Sequence, residues 1–214
     1  RWGRVMEATG EDPFLNAQYA AETVRGYQGS DLRDPERIAA CVKHIAAYGA
    51  AEAGRDYNTV ELSMYTLRAF YLPAYKAAVD AGAAMVMSAF HALNGTPCTA
   101  SGFLLRTVLR KEWGFDGVVI SDWGAVHELT AHGVAETGEE AAEQAIRAGV
   151  DIEMMTADYL TFGEELVRSG QLSESLVDEA VLRILTLKDR LGLFEDPFRG
   201  SSPERERAVL ACPE

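Results

Sequence analysis

Three groups in this chain combine side chains able to do chemistry with a place just after a short apolar run. Asp122 follows Val118-Val119-Ile120-Ser121 and precedes Trp123. Lys43-His44 closes the run at 38–42, and Arg4 stands in Trp2-Gly3-Arg4. Ligands of parallel α/β folds gather at the carboxyl ends of strands, where such residues would meet. An aspartate there is either an active-site group or a helix N-cap, and pattern alone does not separate the two. Trp123 adds a flat apolar face of the kind that stacks on a sugar ring, although it could equally be a core aromatic. A lysine at a buried strand end needs an anion, a hydroxyl partner or a Schiff-base role, unless it has already reached solvent. Lys43 and His44 can share a pocket only if their strand has ended, because neighbours on a strand point to opposite sides. His44 could otherwise be a satisfied core histidine. Glycine beside Arg4 suggests close packing around a fixed guanidinium.

The elements that would position these groups follow from the punctuation. Asp12-Pro13 reads as an N-cap with proline at the first helical position. Phe14, Ala17, Ala21 and Val24 then share a face, and Gly26 and Gly29 end the helix. Apolar runs at 38–42, 83–87, 117–120 and 150–152 fit strands buried on both faces. Ser63 caps a helix with Leu67, Phe70 and Tyr71 inward, which Pro73 kinks or splits. Ser101 caps another, carrying Leu104, Leu105, Val108 and Leu109, with Gly114 beyond its end. Thr137 and Glu140 form a capping box for a helix over 139–148. Helices over 159–169 and 173–191 complete the pattern, the second with Leu176, Val177, Ala180, Val181, Ile184 and Leu185 on its face. Strand and helix alternate, so the strands form a parallel sheet. Four strands suit a doubly wound sheet or the larger part of a (β/α)8 barrel, which typically takes about 250 residues.

Composition bounds the function classes. The 214 residues are 48% hydrophobic and 25% charged, with 20 basic against 33 acidic side chains and a formal net charge of -13. So acidic a chain repels phosphate backbones and anionic lipid, which argues against nucleic acid and membrane partners and leaves a neutral ligand acceptable. Cys41, Cys98 and Cys212 are far apart and odd in number, neither a disulfide framework nor a metal cluster, and read as small thiols. The tail 196–214, with Pro197, Gly200, Ser201, Ser202 and Pro203, reads as a linker. Together with a first residue that is not Met, it suggests a piece of a longer polypeptide.

Taken together, the motifs resemble glycoside hydrolase family 3, in particular its β-glucosidase and β-xylosidase type enzymes. The resemblance rests on Arg1-Trp-Gly-Arg4, Gly10-Glu-Asp-Pro13, Lys43-His44, Leu93-Asn-Gly95, the run from Leu109 to Trp123, Ala148-Gly-Val-Asp151 and Leu191-Gly-Leu-Phe-Glu-Asp-Pro197, all in the family's order. It implies an incomplete (β/α)8 TIM-type barrel over 1–195, lacking its first strands, and a linker over 196–214 toward a C-terminal α/β sandwich domain. It implies Asp122 as the catalytic nucleophile and Trp123 as a wall of the sugar site. Arg4, Lys43 and His44 would bind hydroxyls of the terminal sugar, Met154 would supply an apolar contact, and Asp56 would pair with Lys43 and His44. Phe90 stands where many members have tyrosine, and His91 where asparagine is common. The Pro-Gly-His-Gly stretch of the β-N-acetylglucosaminidase branch is replaced by Ile45-Ala-Ala-Tyr-Gly49.

The implied reaction is retaining, exo-acting hydrolysis of a β-glucoside, a β-xyloside or a short β-linked oligosaccharide through a covalent glycosyl-aspartate, with no metal or cofactor. Arg4 and Lys43 would keep Asp122 ionised. The acid/base is expected in the C-terminal domain of the same polypeptide, since Glu7, Asp56, Glu128 and Glu153 have no motif support for that role. Two other classes remain open from the residues themselves: a Schiff-base aldolase barrel using Lys43, and a non-catalytic sugar-binding barrel keeping Trp123 and the Lys-His pair.

Overall fold

A computed structural model describes residues 2–210. Four strands, β1 (Cys41–Ile45), β2 (Met85–Ser88), β5 (Val118–Trp123) and β6 (Ile152–Met154), form one parallel sheet in the order β1-β2-β5-β6. A two-residue hairpin, β3 (Ala92–Leu93) and β4 (Thr96–Pro97), lies between β2 and β5. Each new strand joins the same edge of the sheet, with no reversal of order. A doubly wound sheet reverses at a switch point, whereas a barrel winds in one sense, so this is the winding of a barrel.

The helices are α1 (Pro13–Gln28), a short α2 (Met64–Thr66), α3 (Pro73–Asp80), a π-helix (Phe103–Glu112), α4 (Gly138–Ala148), α5 (Asp158–Arg168), α6 (Glu174–Arg190) and α7 (Pro203–Val209). Their ends follow the expected chemistry. The Asp12 carboxylate accepts from the Leu15 N–H at 2.8 Å. Ser63 accepts from Thr66, Ser101 from Leu104 and Thr137 from Glu140. The capping box is offset, because the Glu140 carboxylate accepts from the N–H of Glu136 rather than that of Thr137. Pro73 splits its helix: five residues of π-helix, Leu67–Tyr71, precede it and α3 begins at it.

The core lies between the sheet and these helices. Leu104, Leu105, Val108 and Leu109 are fully buried, as the periodicity predicts. Each such side chain contributes about 1.5–3 kcal/mol relative to an exposed position. Gly117 lets β5 pass close to β2, because a Cβ there would stand 2.3 Å from the Ala84 carbonyl oxygen.

Four sequence expectations are corrected. The first strand lies three residues later than 38–42, and Ile38 is exposed outside it. α1 continues through Gly26 to Gln28 and exposes Phe14, because its buried contacts come from Val24 and Gln28. The Gln28 amide oxygen accepts the backbone N–H groups of Ala40 and Ala84, joining α1 to the starts of β1 and β2. Phe70 points outward, since the π-turn rotates it off the face held by Leu67. The tail is not wholly irregular, because Ser202 caps α7. Two further points concern α6 and the cysteines. α6 forms as predicted but has no buried residue, and Val181 and Leu185 are exposed. Cys41 and Cys98 are free thiols, and Cys212 lies outside the described residues.

The amino-terminal end of the sheet is held by charge. Asp151, just before β6, receives Arg110 at 2.7 Å, Arg183 at 2.9 Å and the Val119 N–H at 2.8 Å, with its side chain 1% exposed. Burial pushes its carboxyl up and Arg110 down to about 10, but three converging donors hold the carboxylate ionised. The cluster joins the π-helix, β5, β6 and α6. Removing the charge leaves the buried Arg110 without its anion and Arg183 with Glu179 alone, so Asp151→Asn should lower the unfolding free energy by about 3–5 kcal/mol. Urea unfolding checks this; a loss near zero would mean that solvent already compensates the cluster.

Candidate active site

The opposite, carboxyl end of the sheet brings the predicted polar residues together. Asp122, the last residue but one of β5, is 8% exposed. Its Oδ1 accepts from the Trp123 N–H at 2.7 Å. It caps no helix, since the next helical turn begins at His127. The pairing of β5 with β6 shifts between Ile120 and Trp123, and the Ser121 hydroxyl accepts the Met154 N–H at 2.9 Å in that gap. Ser121 thus fixes where the strand turns to present Asp122.

On the neighbouring side, His44 is buried at the end of β1, with Nε2 3.1 Å from Asp122 Oδ2. The approach is close but poorly directed, and Oδ2 has no hydrogen bond among the described residues. We therefore read the contact as electrostatic proximity rather than a formed hydrogen bond. Arg4 Nη2 lies 3.2 Å from the same His44 nitrogen. Arg4 is itself held by a two-pronged ion pair with Glu7, at 2.6 and 2.9 Å. Lys43 Nζ stands 3.6 Å from Glu7 and is half exposed. The Arg4 hydrogen bond is the main cause that draws the Glu7 carboxyl down to about 2, and Glu7 in turn raises the Arg4 guanidinium. The β1 register shift between Val42 and Ile45 interrupts the strand's alternation where Lys43 and His44 stand, and the peptide bond between these two residues is cis.

One buried carboxylate, with His44 and Arg4 to one side and an exposed tryptophan next to it in sequence, thus stands at the carboxyl ends of the strands, where ligands of parallel α/β folds gather. The family model for the N-terminal domain of glycosyl hydrolase family 3 matches residues 1–187. The chain belongs to this family. A β-glucosidase of Listeria innocua, solved with isofagomine, is 55% identical with a TM-score of 0.95, over 98% of this chain and 30% of that one. A variant of it was solved with laminaribiose. The periplasmic beta-glucosidase of Salmonella typhimurium is 42% identical over 209 residues, covering 98% of this chain and 27% of that protein. An exo-1,4-beta-xylosidase of Emericella nidulans is 41% identical over 210 residues. The chain thus spans under a third of the length of these relatives. The four strands are part of the family's TIM-type barrel.

Against that family pattern, the structure gathers Arg4, Lys43, His44, Asp122 and Trp123 at one end of the sheet. Met154 pairs with Trp123 in register and is half-buried beside it. Asp56 is placed differently from expectation. It accepts from Trp2 Nε1 at 3.4 Å, and the carboxylate that faces Lys43 is Glu7. The reason is local: Glu7 follows Arg4 by three residues on one helical turn, within reach of both cations. Sequence reading weighed Glu7 only as an acid/base without motif support and not as a partner of Arg4 and Lys43, although its spacing from Arg4 was visible. It also passed over Tyr48, whose ring packs on His44, Trp2 and Phe90.

The other carboxylates have distinct surroundings. Glu153 accepts the N–H groups of Asp158 and Tyr159, which closes the start of α5. Glu128, in the loop after β5, has a buried Oε2 without a partner among the described residues. Its carboxyl is raised by burial first and by the charge of Asp122 second. Among the described residues no cluster of three His, Cys, Asp or Glu could hold a metal ion, and no helix is long and apolar enough to cross a membrane.

Because the Glu7 pKa is depressed in the folded state, its pairing stabilises the fold above the ordinary glutamate value near 4.5 and is lost as pH falls toward about 2. Glu7→Gln should therefore be less stable than the parent at pH 6 and equal to it at pH 2. The difference should be small because the pair is partly exposed. Thermal melts of both proteins across that range decide it; a gap that persists at pH 2 would assign the effect to packing.

Proposed function

We propose that this chain carries the nucleophilic half of the active site of an exo-acting, retaining β-glycosidase. The observation behind this reading is the Asp122 carboxylate, buried at a strand end beside His44 and Arg4, with one oxygen left free of hydrogen bonds. Asp122 attacks the anomeric carbon of a terminal β-D-glucosyl or xylosyl unit, the bond to the leaving oxygen breaks, and a glycosyl-aspartate forms. An acid protonates the leaving oxygen and then, as base, takes a proton from the water that releases the sugar. In retaining enzymes the two carboxyl groups stand about 5–5.5 Å apart.

Arg4, Lys43 and His44 bind and orient the sugar hydroxyls, and Trp123, with Met154 beside it, offers an apolar wall. The named relatives, β-glucosidases and a β-xylosidase, and the laminaribiose complex of the Listeria protein support a β-linked glucoside or short oligosaccharide as substrate. A Schiff-base role for Lys43 is disfavoured, because a half-exposed ammonium facing Glu7 is not desolvated. The acid/base belongs to the C-terminal domain of the whole polypeptide, joined through the tail beyond residue 195.

In the full-length enzyme, Asp122→Asn should lower kcat by several orders of magnitude, about 10⁴-fold or more, with little change in melting temperature. Azide should restore turnover as a glycosyl azide of inverted configuration. Near-normal hydrolysis by a clean Asp122→Asn preparation would remove Asp122 from the role.

A second test concerns the acid. The 214-residue chain alone should fail to cleave cellobiose, whose leaving group needs protonation, while 2,4-dinitrophenyl glucoside still labels Asp122 slowly. Robust cellobiose hydrolysis by the chain alone would place the acid within it.

A further inference from the structure

Tyr48 takes no part in the chemistry proposed above, yet its ring touches His44, which faces Asp122, and Arg4 behind it. It stands in a one-turn helix, Tyr48–Ala50, directly after β1. The chain reaches it through Ala47, a buried non-glycine residue at φ 68°. A left-handed alanine costs on the order of 1 kcal/mol and persists only where its surroundings impose it.

The turn folds the Tyr48 ring back beneath the end of its own strand. There His44 meets it edge-on at 5.2 Å and 75°, and Trp2 at 4.9 Å and 63°. The Arg4 guanidinium carbon lies 5.3 Å from the ring centroid, within cation–π range. On another side His91 lies parallel to the ring, 5.2 Å away with an interplanar angle of 3°. His91 is itself fully buried. Its Nε2 is 3.7 Å from the Cys98 thiol, and its Nδ1 is without a partner among the described residues. Burial lowers its pKa to about 4, so the ring is neutral at ordinary pH and adds no charge beside Arg4 and His44.

The Tyr48 hydroxyl is likewise buried and makes no well-directed hydrogen bond among the described residues, although Asp56 and Arg4 lie close enough to act on it, so the ring face and edge carry the formed contacts. Nothing else among the described contacts joins Arg4, His44 and Trp2 to a single side chain. Among themselves Arg4 meets His44 at 3.2 Å and lies over the Trp2 ring at 5.9 Å, and their other polar contacts run sideways, to Glu7, Asp122 and Asp56.

We propose that Tyr48, backed by the neutral ring of His91, is a positioning residue that sets the reach of Arg4 and His44 toward the sugar held over Asp122. The proposal rests on the glycosidase reading above. Displacing sugar-binding groups by about 1 Å can cost on the order of 100-fold in rate, so the ring matters through geometry rather than through any contact with substrate.

The test uses the full-length enzyme and 4-nitrophenyl β-D-glucoside, with active sites counted by the burst from 2,4-dinitrophenyl 2-deoxy-2-fluoroglucoside. Per titrated site, Tyr48→Leu should lower kcat/KM by about 10- to 100-fold, and Tyr48→Phe, which keeps the ring, should restore most of it. In a His44→Gln background the same Tyr48→Leu change should cost far less than it does in the parent, because both changes act through one contact. A structural role alone would predict fewer competent sites, unchanged turnover per site and multiplicative losses. That result, or a Tyr48→Phe variant as poor as Tyr48→Leu, would overturn the proposal. Should Tyr48→Leu not fold, Tyr48→Met carries the same comparison. A parent enzyme that gives no burst at all would reject the Asp122 reading instead.

Discussion

A carboxylate withdrawn from water must be compensated, and the carboxyl end of this sheet is organised around that requirement at Asp122. Its Oδ1 is answered by the Trp123 N–H. Its Oδ2 is answered by position alone, with the His44 ring nitrogen close by and Arg4 behind it. The same His44 nitrogen cannot both accept from Arg4 and donate toward Asp122. The field then passes outward from Asp122 through His44 and Arg4 to Glu7, where the charge is finally balanced by a short ion pair nearer to solvent.

The two ends of the sheet handle buried charge in opposite ways. At the amino end, three donors on Asp151 leave its carboxylate no freedom, and the cluster joins four elements. At the carboxyl end, the donors stop short of Asp122 Oδ2. The first aspartate is fully satisfied and the second only partly. This matches the general division of barrels, in which the carboxyl face is the chemical one.

How much of this was legible in the sequence depended on the range of the interaction. Caps are set by residues three apart, and Asp12, Ser63, Ser101 and Thr137 were readable for that reason. The π-helix core at Leu104, Leu105, Val108 and Leu109 was readable from spacing. The first strand was misplaced because Ile38 looks like core, while what fixes the strand's start is the Gln28 side chain holding Ala40 and Ala84 from another element. Asp122 was visible as a strand-end aspartate, but only its family motif separated it from a cap. Asp56 was assigned to the wrong partner because loop geometry decides which carboxylate reaches a cation, and Glu7 reaches first. Tyr48 carried no signal at all, since its importance lies in ring orientations between residues up to 46 positions apart.

The same local accounting explains why the second catalytic carboxylate is sought elsewhere. A general acid needs a raised pKa and freedom to give up its proton. Glu7 fails on the first count, since Arg4 holds it near 2. Asp56 is engaged by Trp2, and Glu153 is spent on the start of α5. Glu128 is raised, by burial first and then by Asp122, yet its Oε2 is buried within the loop after β5 rather than open toward a leaving group. An acid that protonates an aglycone must approach from the side of the departing oxygen, across the sugar from the strand ends that hold Asp122. A sheet whose functional groups all rise from the same strand ends supplies the nucleophile and the hydroxyl contacts readily. It supplies an opposing acid only with difficulty, which is why the proposed reading looks for that acid beyond these strand ends.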